Sequence, residues 1–95
     1  MNLFDLNGKV AVITGGNGGI GLGMARGIAS CGASIVIAGR DEQKAATALA
    51  ALHEMGANAN FIVADVTKKA ECEALVAQTV AKHGHVDILV NNAGT

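Results

Sequence analysis

Ninety-five residues, 51% hydrophobic and 16% charged, hold at most one domain and exclude a disordered chain. A net charge of −1 and two aromatics, Phe4 and Phe61, with no Trp or Tyr, exclude the basic face and stacking platforms of a nucleic-acid binder. No apolar run approaches the ~20 residues that cross a bilayer, and Asp5 interrupts the short apolar start, so neither a membrane span nor a signal peptide is expected.

Along the chain, Asn7-Gly8 is a turn that delivers Lys9 to a first strand, Val10-Ala11-Val12-Ile13-Thr14. Five glycines follow in the seven residues from Gly15 to Gly21. Ile20, Met24 and Ile28 then recur every four positions, which predicts a helix from Ile20 to Ser30 that buries this row and ends at Gly32. The unbroken Ile35-Val36-Ile37 predicts a strand over Ser34 to Ala38, covered on both faces as in a parallel sheet. Asp41 is positioned to cap a helix whose stripe is Ala45, Leu49 and Leu52, with Ala48 and Met55 beside it, His53 on its exposed flank and Gly56 at its end. A third strand, Phe61 to Ala64, runs into Asp65. Thr67 is then expected to cap a helix that turns Cys72, Val76, Thr79 and Val80 inward, and Lys82 and His83 complement its C-terminal dipole before Gly84 stops it. His83 and His85 read as capping and solvent-facing residues, not metal ligands, since no carboxylate or Cys completes a site at ligand spacing. Cys31 and Cys72, outside any Cys-x-x-Cys, are expected to be reduced, buried cysteines of a cytoplasmic protein. The fourth strand, Val86 to Asn91, leads into Asn92-Ala93-Gly94-Thr95.

The pattern is βαβαβαβ without repeat or linker. Right-handed crossovers turn it into an α/β fold, a doubly wound parallel sheet with strand order 3-2-1-4. Ligands of such sheets sit beyond the carboxyl ends of the strands, at the switch point between strands 1 and 4. The glycine loop lies there. Its glycines let backbone approach a pyrophosphate with no Cβ in the way, and the helix that opens behind it offers free N–H groups and a positive dipole end. Gly16, Gly18 and Gly21 satisfy G-x-G-x-x-G, while Gly15, Gly19 and Gly21 satisfy T-G-x-x-x-G-x-G, and spacing alone leaves both registers open. No Gly-Lys-Ser/Thr closes the loop, which excludes a P-loop nucleoside triphosphatase.

With Thr14-Gly15-Gly16-Asn17-Gly18-Gly19-Ile20-Gly21, Asp65-Val66 after strand 3, and Asn91-Asn92-Ala93-Gly94 after strand 4, the sequence resembles the short-chain dehydrogenase/reductase family, N-terminal cofactor-binding half. The resemblance implies a Rossmann-type domain over residues 1–95, partial relative to the family's fold. It selects Gly15, Gly19 and Gly21 as the phosphate-loop glycines, with Asn17 and Ile20 among the cofactor-binding residues. It also implies that Asp65 accepts from the adenine amino group, that Val66 lines the adenine pocket, and that Asn91, Ala93 and Gly94 brace the sheet and border the cofactor ribose. The plainer readings are a helix cap for Asp65 and a polar turn for Asn91-Asn92. At the end of strand 2 an acid would pair with a ribose 2′-hydroxyl, whereas an arginine clamps a 2′-phosphate. Here Ala38-Gly39-Arg40 ends the strand and Asp41 is the helix cap, so NADP is favoured over NAD, although Asn17 and Gly18 supply no second basic residue from the loop.

The family's catalytic Asn, Ser and Tyr-x-x-x-Lys follow the Asn-Asn-Ala-Gly motif, and this chain has no Tyr. No catalytic residue and no metal site is therefore assigned here: Asp65 and Asp87 are expected at strand ends without a partner, and His83 and His85 at the opposite end of the sheet. The implied parent is an NAD(P)-dependent oxidoreductase acting on a small carbonyl or alcohol, a homo-oligomer in its intact form, with the 95 residues inactive alone. The alternative is a stand-alone nucleotide-binding or interaction module without catalysis.

Overall fold

The computed structural model describes residues 5–15 and 19–91, with the backbone alone at 19–21 and 91. Its elements are β1 (Val10–Thr14), α1 (Gly19–Ser30), β2 (Ser34–Gly39), α2 (Glu42–Glu54), β3 (Ala59–Val63), α3 (Lys69–His83) and β4 (Ile88–Asn91). The strands form one parallel sheet in the order β3-β2-β1-β4, the order expected from the crossovers.

Register explains why β1 is apolar from Val10 to Ile13 and β2 from Ile35 to Ala38. Val12 lies beside Val36 and Leu89, and Ile13 beside Ile37 and Val90, so alternate residues build two separate cores on the two faces. Ala11, Ile13, Ile35 and Ile37 pack with Ala25 and Ala29 of α1 and Ala48 and Leu52 of α2. On the other face Val10, Val12, Val36 and Ala38 pack with Ala64 and with Leu75 of α3. The sheet thus carries helices on both faces, as a Rossmann-like fold does.

Asp41 caps α2 as expected, its Oδ1 accepting the N–H groups of Gln43 and Lys44, each at 3.0 Å. Gly32 ends the α1 turn at φ +102°, and a Cβ there would run into the side chain of Asn7, so this position needs glycine twice over. The Gly84 N–H closes α3 onto the Val80 carbonyl at 2.7 Å.

Several details depart from the sequence expectations. Helix α1 buries Ala25 and Ala29, with Leu22 and Ile28 alongside, and leaves Met24 exposed. Small side chains let a helix sit close to the sheet, and a four-residue period does not distinguish two rows one position apart. Helix α3 starts at Lys69 behind an N-cap Lys68 that makes no side-chain cap bond, because Thr67 gives its N–H and hydroxyl to Asp65 instead. Thr79 is buried as expected, together with Leu75, while Val76 and Val80 are exposed. Cys31 and Cys72 are half-buried thiols, not fully buried ones. Strand β3 begins earlier than Phe61, at Ala59, and β4 later than Val86, at Ile88.

Asp87 is not unpartnered. Its Oδ2 accepts the Val10 N–H at 2.9 Å and lies 3.0 Å from His85 Nε2, which also reaches the Gly8 carbonyl at 2.8 Å. These contacts pin the N-terminal edge of the sheet, opposite the glycine loop. His53 is exposed as expected, and its Nε2 donates to the Ala59 carbonyl at 2.9 Å.

Candidate functional site

At the carboxyl edge, three strand ends converge on a cleft of about 340 Å³. Gly15 comes from the end of β1, residues 38–41 from the end of β2, residues 64–67 from the end of β3, and Lys44 from the first turn of α2. Gly15 donates its N–H to the Ala38 carbonyl at 3.1 Å, which prolongs the β1–β2 ladder by one residue, and then turns away at φ +69°. A side chain at that backbone angle would be strained. The backbone of residues 19–21 forms the opening turn of α1, which carries no acidic residue, so nothing in that turn offsets its positive dipole end. The opening turn of α2 differs: Glu42 lies in it and Asp41 occupies its amides.

Asp65 is held on several sides. Its Oδ1 accepts the Thr67 hydroxyl at 2.6 Å and the Thr67 N–H at 3.0 Å, an Asx-type turn. Its own N–H donates to Glu71 Oε1 at 2.7 Å, and Glu71 in turn lies 3.9 Å from Lys68. Arg40 Nη1 stands 3.8 Å from Asp65 Oδ2. The Thr67 hydroxyl first, then the Thr67 N–H, with smaller help from Arg40 and Lys68, hold the Asp65 carboxyl below the usual carboxylate range. It is therefore an ionised acceptor near neutral pH. Both expected partner vacancies, at Asp65 and at Asp87, are thus filled.

Arg40 and Asp65 face each other across the cleft, the guanidinium 76% exposed and the carboxylate half-buried. Val66 lines the same space, and its carbonyl accepts from Cys72 Sγ at 3.2 Å. The Thr14 hydroxyl donates to the Val90 carbonyl at 3.3 Å, and Asn91 follows in register with Thr14, which fixes the end of β4 beside the glycine loop. Among the sequence-derived site residues, the structure gathers Gly15, Arg40, Asp65 and Val66 around one cleft. It places Gly19, Ile20 and Gly21 in the α1 backbone and Asn91 at the end of β4. Asn17, Ala93 and Gly94 fall outside the described residues.

Lys44 and Thr67 also line the cleft, although the sequence marks Thr67 only as a helix cap and Lys44 not at all. Thr67 was legible in the Asp-x-Thr spacing of an Asx turn, and Lys44 in being the third residue of a helix capped at the very strand end that carries Arg40. Chemically, the cleft offers glycine backbone for close approach, a carboxylate acceptor and two cations. That set suits an adenine nucleotide carrying an extra phosphate.

A family model described as short chain dehydrogenase matches residues 9–95. The 2-dehydro-3-deoxy-D-gluconate 5-dehydrogenase of Formosa agariphila is 40% identical over 95 residues, covering 99% of this chain and 36% of that protein. L-sorbose reductase from Gluconobacter frateurii, solved with NADPH and L-sorbose, superposes with a TM-score of 0.90 at 41% identity, covering 97% of this chain and 35% of that one. A metagenomic short-chain oxidoreductase solved in complex with NADP gives a TM-score of 0.90 at 36% identity, covering 96% of this chain and 41% of that one. The chain thus spans 35% to 41% of the length of these proteins.

Proposed function

This chain belongs to the short-chain dehydrogenase family, and from that membership we propose that it is the cofactor-binding N-terminal part of a longer NADP(H)-dependent alcohol dehydrogenase or ketone reductase. The observation that carries the cofactor choice is Arg40 at the end of β2, over the cleft, with the nearest acid in sequence, Asp41, turned to capping α2. The donor set fits the dinucleotide. In this reading Gly15, Gly19 and Gly21, with Asn17 and Ile20, hold the pyrophosphate, Asp65 and Val66 hold the adenine, Arg40 holds the 2′-phosphate, and Asn91, Ala93 and Gly94 border the cofactor ribose. When bound, the nicotinamide supplies or accepts the hydride. The proton transfer that accompanies it requires an acid/base of the Tyr-x-x-x-Lys kind, and with no Tyr the 95 residues alone are inactive. NADP or NADPH in the solved relatives supports the cofactor choice. The two free thiols accord with a cytoplasmic protein, and a homo-oligomer is the expected form of the whole enzyme.

Titration of the whole protein with NADPH and NADH tests this. NADPH is expected to bind more tightly, and Arg40→Ala to weaken it by about 1.5–3 kcal/mol, the range for bonds to a charged group, while NADH affinity stays nearly constant. Unchanged NADPH affinity in a folded Arg40→Ala protein would sink the assignment.

A further inference from the structure

We propose that Lys44 is the second cation of the 2′-phosphate pocket and shares with Arg40 the discrimination between NADP and NAD. The proposal rests on the reading of the cleft as an NADP site and extends it to a residue that no motif marks.

Four observations converge on Lys44. It lines the cleft together with Arg40, and among the described residues no other cation does. It is the third residue of α2, and a long helical side chain leans back toward the N-terminus of its helix, here toward the β2 end that carries Arg40 and Asp41. Among the described residues Lys44 forms no ion pair, whereas Arg40 lies 3.8 Å from Asp65 and Lys68 lies 3.9 Å from Glu71. Finally, the N–H groups of Gln43 and Lys44, which an anion at this helix end would otherwise use, are both taken by Asp41 at 3.0 Å. A phosphate entering here therefore finds those two amides occupied and the side-chain cations at hand.

Charge arithmetic points the same way. A phosphate monoester carries roughly −1.5 to −2 at neutral pH. Arg40 is already partly balanced by Asp65, and Asp41 adds a further negative charge beside it. One guanidinium leaves that set strongly negative, and the Lys44 ammonium removes a further unit of the excess. Arg40 supplies the planar, paired contact and Lys44 a mobile point charge on a flexible stem.

The test is a set of titrations of the whole protein with NADPH, NADH, adenosine 2′,5′-bisphosphate and 5′-AMP, using wild type, Lys44→Ala and Lys44→Arg. Lys44 is exposed and alanine favours helix, so the fold is expected to survive, with circular dichroism as the check. Lys44→Ala is expected to raise Kd for NADPH and the bisphosphate about 3- to 10-fold and to leave NADH and 5′-AMP within about twofold. Lys44→Arg is expected to retain most of the wild-type preference, and the Lys44→Ala defect to shrink as salt is raised. Unchanged NADPH and bisphosphate affinity in Lys44→Ala, with wild type still preferring NADPH, would overturn the role of Lys44 and leave the cleft reading intact. A wild-type protein that binds neither dinucleotide, or prefers NADH, would overturn the cleft reading and Lys44 with it.

Discussion

The two faces of the sheet are unequal. On the α1/α2 face, two helices cover Ala11, Ile13, Ile35 and Ile37, and Ile88, Val90 and Phe61 pack partly buried at the margins. On the α3 face a single helix covers Val10, Val12, Val36 and Ala38, with Leu75 as its one large buried apolar residue. Val12 and Leu89 are register partners on that face, yet Val12 is fully buried and Leu89 is 62% exposed. Val76 of α3 is 43% exposed near it, both lining a hollow of about 100 Å³ with Thr14 and Val66. A parallel sheet is stable when both faces are covered, so the open half marks where further structure would pack, and it adjoins the cleft.

The largest expected effect comes from cutting into the closed face. Leu52 is fully buried between α2 and the sheet, and Leu52→Ala should cost about 3–5 kcal/mol, a large fraction of the roughly 5–15 kcal/mol that holds a domain together. Leu75→Ala removes the same atoms from the open face, where neighbouring exposed side chains relax into the gap, and should cost about 2–3 kcal/mol. Urea midpoints of the two variants measure the difference. Equal losses would mean that the faces are packed alike and the comparison is wrong.

This inequality was only half legible in the sequence. The strands, their order and the two-sided burial followed from runs such as Ile35-Val36-Ile37, because a covered parallel strand leaves a plain compositional mark. The facing of α2 followed too, with Ala45, Ala48 and Leu52 buried, but that of α1 and α3 followed only in part. In α1 the buried row is Ala25 and Ala29, and alanine carries too little hydrophobic weight to outvote Met24 in a periodicity count. In α3, of the expected inward residues Cys72, Val76, Thr79 and Val80, Thr79 is fully buried and Cys72 half-buried, while Val76 and Val80 are exposed because they look toward the uncovered side. The cleft divides similarly. Gly15, Asp65 and Val66 are marked by the family resemblance and Arg40 by its place at a strand end, whereas Lys44 and Thr67 are ordinary residues whose role depends on where Asp41 and Asp65 direct their neighbours.

A smaller effect on stability, but a larger one on association, is expected at the open face. β4 is an edge strand, and an exposed apolar edge invites pairing with another chain. The chain by itself should therefore self-associate as concentration rises. Leu89→Lys combined with Val76→Lys should change unfolding free energy by no more than about 0.5 kcal/mol per site, as surface substitutions do, and shift the chain toward monomer. Sedimentation over a range of concentrations checks this. A wild-type chain that stays monomeric throughout would show that the open face is not adhesive.

The smallest expected effect is a pH dependence confined to the α3 side. His83, half-buried at the end of α3, donates from Nε2 to Asn60 Oδ1 at 3.1 Å, and Asn60 points to this face because its register partner is Val36. Burial first, then the charges of Lys82 and His85, push the imidazole below its ordinary value of 6.5. The folded chain thus binds this proton less readily than the unfolded chain does. The contribution of neutral His83 is complete above pH 6.5, declines as pH falls through 6.5 while the unfolded state takes up the proton, and levels off once pH passes below the folded value. Urea midpoints at pH 7.5 and 5.5 should therefore fall further for wild type than for His83→Gln, whose amide keeps a donor toward Asn60 without a titrating group. A variant that loses as much stability on acidification as wild type would place the pH sensitivity elsewhere in the fold and remove His83 from the account of the open face.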